Sequence, residues 1–128
     1  MDLSVLDENI GKPYSQITMG CMQPVYLLKP DLPQYDFNLD INYFLPLVKK
    51  HYEEIDINEI KSGDLLMIKV REDYHFAIFK EPNLIYHCTK NSKLRLSRIE
   101  LYRKYIVKAF RLNAKYKQED NYEKIKEI

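Results

Sequence analysis

Apolar positions follow one period in the first half of this chain and another in the second, with the change near residue 62. In the first half the spacing predicts helices. Residues 3–10 read as a short helix stopped by Gly11, a residue that readily takes the left-handed conformation at a helix end, with Pro13 just beyond it. A second helix is expected at or just after Cys21, taking in Val25, Tyr26, Leu27 and Leu28. Pro30 and Pro33 then break the chain, and residues 29–40 read as an extended surface connection. A third helix is expected over residues 41–55, with Phe44, Leu47, Val48, Tyr52 and Ile55 on one face. Pro46 falls inside it, where a proline costs ~3 kcal/mol, so a kink or a later start is expected.

From Ser62 onward the pattern suits strands. Residues 64–70 are a mostly apolar run with Gly63 at its entrance, as a central strand buried on both faces requires. Further strands are expected near 74–79, 84–89 and 105–112. Ser97-Arg-Ile-Glu100 has the S-x-x-E form of a capping box and predicts a short helical turn before the last strand. Helices followed by an antiparallel sheet make an α+β fold. Residues 1–112 form the expected domain, and 113–128, which alternate Lys and Glu, read as a charged C-terminal extension with helical character.

The two middle strands carry histidines. Lys80-Glu-Pro-Asn83 between them suits a hairpin connection, and pairing about Glu81 would set His75 directly opposite His87. Any loop of odd length keeps both histidines on one face, with Cβ atoms ~4.5–5.5 Å apart for residues directly opposite. One imidazole can then accept a proton while the other fixes its tautomer.

Composition narrows the partners. With 20 basic and 19 acidic residues among 128, the net charge of +1 gives no overall field to recruit nucleic acid or an anionic membrane. No stretch approaches the ~20 apolar residues of a membrane span, and the acidic start of the chain lacks a signal peptide's positive region. Two cysteines, Cys21 and Cys88, are too few for a disulfide framework and read as thiols made in a reducing cytoplasm.

Cys21 follows Gly20 and precedes a helical pattern, which would set its sulfur at a helix N-terminus, where thiol pKa values fall from ~8.5 into the range of roughly 3.5–7.5. Pro24 fits the first turn of that helix, which has no partner for its N–H. A small buried hydrophobe is the other reading of Cys21. Cys88, adjacent to His87, points to the other sheet face and is assigned to the core. A zinc site drawn from Cys21, His75, His87 or Cys88 is the chemical rival, though no C-x-x-C or H-x-x-x-H spacing supports it. No metal and no cofactor are expected.

In this order the parts resemble the NlpC family of papain-like cell-wall endopeptidases. Gly11-Lys-Pro-Tyr14 resembles its G-x-P-Y element, Gly20-Cys21 stands at its Asp-Cys, and Ser62-Gly-Asp-Leu-Leu66 resembles its G-D-L strand entrance. Tyr74-His-Phe-Ala-Ile-Phe79 resembles its H-x-G-I-Y strand, and Ile85-Tyr-His87 its I-H pair. Gly20, Met22-Gln-Pro24 and Ala77 depart from the family pattern. The resemblance implies Cys21 as nucleophile, His75 as base, His87 as the group that orients the base, and Tyr14 as an oxyanion or pocket residue. Gly63-Asp-Leu-Leu-Met-Ile68, Leu84-Ile-Tyr-His87 and Leu94-Arg-Leu-Ser-Arg98 with Tyr102 are similar to the peptidase domain of lambda-type phage tail-assembly proteins.

That resemblance implies a cysteine endopeptidase acting on the peptides of bacterial peptidoglycan. It also implies synthesis in the host cytoplasm without a signal peptide, residence in the phage tail, and other tail-tip proteins as partners. A structural tail-tip protein with little or no activity, and an amidase or acyltransferase on the same fold, are the alternatives.

Overall fold

The computed structural model describes residues 2–12, 23–28, 41–88 and 93–113, so Tyr14, Cys21 and the extension from 114 onward lie outside the described residues. Three helices come first: α1 (Ser4–Asn9), α2 (Gln23–Leu28) and α3 (Ile41–His51). Helix α1 ends as expected, with Gly11 at φ 85°, and the Gly11 N–H donates to the Leu94 carbonyl at 2.8 Å. Helix α2 also falls where expected. Pro46 lies inside α3 with its ring exposed and does not delay the start of the helix.

The third helix is shorter than its apolar spacing implies. Tyr52–Ile55 is a strand, β1, paired with the last strand of the sheet in the register Tyr52↔Leu112 to Ile55↔Ala109. Tyrosine and isoleucine suit a pleated surface, and the backbone hydrogen bonds to the last strand outweigh one more helical turn. On a strand the two apolar residues divide. Tyr52 is buried on the helix side of the sheet, and Ile55 packs on the other.

The remaining strands are β2 (Leu65–Val70), β3 (Asp73–Lys80), β4 (Leu84–His87), β5 (Arg95–Arg98) and β6 (Ile106–Leu112). All pairings are antiparallel, in the order β1-β6-β2-β3-β4-β5. Strand β2 is central, and its run from Leu65 to Ile68 is buried on both faces, as a continuous apolar stretch requires. Gly63, at φ 96°, makes the turn into it. The fold is therefore a mixed helix and strand fold on a six-stranded antiparallel sheet.

Strand β5 corrects the capping-box reading of Ser97 and Glu100. Ser97 is a strand residue, and the 3-10 turn Ile99–Leu101 starts after Arg98 with no side-chain cap. Glu100 instead holds Arg103 through two hydrogen bonds of 3.1 Å. A four-residue edge strand with arginine at both ends carries too little alternation to stand out in sequence.

The sheet has a core on each face. Leu6 of α1, Val25 of α2 and Val48 of α3 pack with Phe76, Ile78 and Tyr86 on one side. Leu66, Ile68, Ala77, Phe79, Ile85 and Ile99 form the other, covered by the 3-10 turns near Ile57, Ile99 and Tyr105. Asp64, 3% exposed at the mouth of β2, accepts from Arg111 Nε at 3.0 Å and from a terminal guanidinium nitrogen at 2.8 Å, and also from the Lys61 N–H at 2.7 Å. The aspartate of the Gly-Asp-Leu entrance thus ties β2 to β6. Asp7 of α1 accepts from the Tyr86 hydroxyl at 2.5 Å and fastens the first helix to β4. Among the described residues, no helix is long and apolar enough to cross a membrane.

Candidate functional site

The hairpin register differs from the expected one by two residues. Strands β3 and β4 pair Ala77↔His87 and Lys80↔Leu84, so the turn is Glu81, Pro82 and Asn83 and its centre is Pro82 rather than Glu81. The loop still has odd length, so His75 and His87 share a face, but they meet along the diagonal. Ala77, fully buried directly across from His87, is small enough to leave that diagonal open.

The imidazoles make contact. His75 Nε2 lies 3.0 Å from His87 Nδ1, with ring centroids 5.2 Å apart and planes at 81°. On its far side His87 Nε2 lies 2.7 Å from Ser97 Oγ. His87 faces Arg95 directly in the β4–β5 register, so its bond to Ser97 is again diagonal. The result is an oblique hydrogen-bond chain, His75 to His87 to Ser97, across three strands. The Tyr102 ring stands edge-on to His87, with centroids 5.2 Å apart, and 6.5 Å from His75.

Both rings are held neutral. Burial, then the positive charge of Arg95, pushes His75 down to about 4. Burial, then His75 and Arg95, pushes His87 to about 4 as well. In a neutral pair one ring donates and the other accepts. If His75 Nε2–H donates to His87 Nδ1, the lone pair of His75 sits on Nδ1. Among the described residues the structure gives that nitrogen no hydrogen-bond partner, so it is the atom that can take a proton from a substrate or a thiol.

His75 and His87 are therefore brought together. Cys21 and Tyr14 lie outside the described residues. Helix α2, which begins two residues after Cys21 in sequence, packs through Val25 on the face of the sheet opposite the imidazoles. Cys88 is fully buried on the helix side, as alternation from His87 demands, and so does not face the imidazole pair. Among the described residues no group of three or more His, Cys, Asp or Glu side chains is placed to hold a metal ion.

Ser97, Arg95 and the Tyr102 ring are site neighbours that the sequence patterns did not single out for chemistry. The signal for Ser97 was strand parity on β5, masked by its resemblance to a helix cap. No family model matches this chain, and no curated protein matches it either.

Proposed function

We propose that the chain is a cysteine peptidase of the NlpC type that hydrolyses peptide bonds in bacterial peptidoglycan as part of a phage tail. The observation that carries this reading is the 3.0 Å contact between His75 and His87 on one sheet face, with Nδ1 of His75 left as the available base. The thiol of Cys21 gives its proton to that nitrogen, and the thiolate attacks the peptide carbonyl. The amine leaves with the proton from His75, and water, activated by the same imidazole, then cleaves the thioester. Burial, reinforced by the positive charge of Arg95, keeps His75 neutral, so the charged imidazole needs the negative sulfur beside it to form. Tyr14 and the backbone N–H of Cys21 stabilise the oxyanion in this reading.

A second reading, a tail-tip protein that keeps the fold with little activity, has its own support. Helix α2, which follows Cys21 in sequence, packs on the opposite side of the sheet from the imidazoles. An amidase or acyltransferase would use the same groups on another acceptor.

Thiol alkylation separates the first two readings. Burial pushes the Cys88 thiol up, so modification below pH 7 reports on Cys21. Rapid labelling of Cys21 by iodoacetamide at pH 6 is the expected outcome, and labelling no faster than in unfolded protein favours the inactive reading. Mass spectrometry of digested peptidoglycan fragments identifies the bond that is cut and tells hydrolysis from transfer.

A further inference from the structure

The hydrogen-bond chain does not end at the two histidines, and its last member has a defined task once protons are counted. Three facts fix that task. His87 has no exposed surface, its Nδ1 is 3.0 Å from His75 Nε2, and its Nε2 is 2.7 Å from Ser97 Oγ. When His75 takes a proton on Nδ1, both of its ring nitrogens carry hydrogen, so Nε2–H must donate to His87. A neutral His87 that accepts on Nδ1 carries its own hydrogen on Nε2. That N–H is closed off from solvent, and the acceptor in reach is the serine oxygen. The direction of the whole chain is then forced, and Ser97 must accept.

With His75 neutral the direction is open, because a serine hydroxyl rotates and can donate or accept. The serine therefore matters most when His75 is charged. Without the serine oxygen the buried N–H on His87 Nε2 has no acceptor, which is costly. A neutral His75 escapes that cost by reversing the tautomers so that His87 Nε2 is bare, and a charged His75 forbids the reversal.

We propose that Ser97 is a positioning residue for the proposed thiol chemistry: as terminal acceptor it lets a neutral His87 support the charged form of His75. The inference rests on His75 acting as base toward Cys21. A single proton moves, from the Cys21 sulfur to His75 Nδ1. None travels along the chain to Ser97. The geometry also admits Ser97 as a nucleophile with His87 as its base, but a base with no exposed surface has no route to a leaving group.

The test uses the full chain and three proteins, wild type, Ser97→Ala and Ser97→Thr, each checked for folding by circular dichroism. The rate of Cys21 alkylation by iodoacetamide is followed against pH, and kcat and KM are measured on purified peptidoglycan fragments. Loss of the acceptor should move the alkylation midpoint up by about one pH unit and lower kcat roughly ten- to a hundredfold with little change in KM. Ser97→Thr keeps the hydroxyl and should restore both. Wild-type behaviour of folded Ser97→Ala, or a Ser97→Thr variant as impaired as Ser97→Ala, overturns the proposal, as does an acyl adduct on Ser97. If wild-type Cys21 itself shows no labelling below pH 7, the peptidase reading fails and this role falls with it. That outcome is distinct from an activated Cys21 that is indifferent to Ser97.

Discussion

His75 reaches His87 along a diagonal of the β3–β4 hairpin, two residues from the position directly opposite it, and the contact is 3.0 Å. The diagonal works because both strands present the histidines to the same face and Ala77 occupies the nearer position with one methyl group.

The imidazole pair, with His87 buried and His75 half-buried, should make stability depend on pH in a defined window. Each imidazole has a folded pKa of about 4 against 6.5 in the unfolded chain, so below 6.5 the unfolded state binds the proton more readily. The stabilisation is complete above pH 6.5, is lost as pH falls toward 4, and changes no further below that. The slope in this window is at most about 1.4 kcal/mol per pH unit for each imidazole. Urea unfolding at pH 7.5, 6, 5 and 4.5 measures it, and a His75→Gln/His87→Gln double variant should show a flatter profile. A wild-type profile that is flat between pH 7 and 4.5 would contradict a pair held neutral in the fold.

At His87, identity should matter less than the ability to accept a hydrogen bond. His87→Asn and His87→Gln can place an amide oxygen near Nε2 of His75 and should retain more hydrolysis than His87→Ala, which leaves the His75 tautomer unfixed. Rates of the three variants on one peptidoglycan substrate give the ordering. Wild-type activity in His87→Ala would place the orienting group elsewhere.

Asp64 is expected to act on the fold rather than the chemistry. Its carboxylate is 3% exposed and takes two hydrogen bonds from Arg111, whose guanidinium is held protonated by that contact. Asp64→Ala should cost roughly 2–3 kcal/mol, at or just below the roughly 3–5 kcal/mol of a fully buried pair, because the Arg111 side chain keeps about a third of its exposure. Chemical denaturation measures the loss. A change under about 0.5 kcal/mol, the size of an ordinary surface substitution, would show that the pair carries no stability.

Much of this arrangement could be read from residue patterns, and the failures have particular causes. The apolar run of β2 and the shared parity of His75 and His87 depend on period and loop oddness, which the sequence displays directly. Register was missed by two residues because both centres, Glu81 and Pro82, fit the same polar connection, and only strand pairing distinguishes them. Tyr52 and Ile55 also sit at helical spacing from Val48, so the strand they form was visible only through its partner β6. Ser97 combined both difficulties, a short edge strand and a motif that imitates a helix cap. The relation of Cys21 to the imidazoles depends on residues outside the described segments, so it rests on sequence and chemistry.

The most direct measurement is the rate at which purified peptidoglycan fragments are hydrolysed by wild type, Cys21→Ala and His75→Ala, with folding of each confirmed by circular dichroism. Members of a nucleophile and base pair act as a unit, so either substitution alone should remove nearly all turnover while the spectra remain those of the folded protein. Turnover by Cys21→Ala equal to that of wild type would contradict the thiol mechanism.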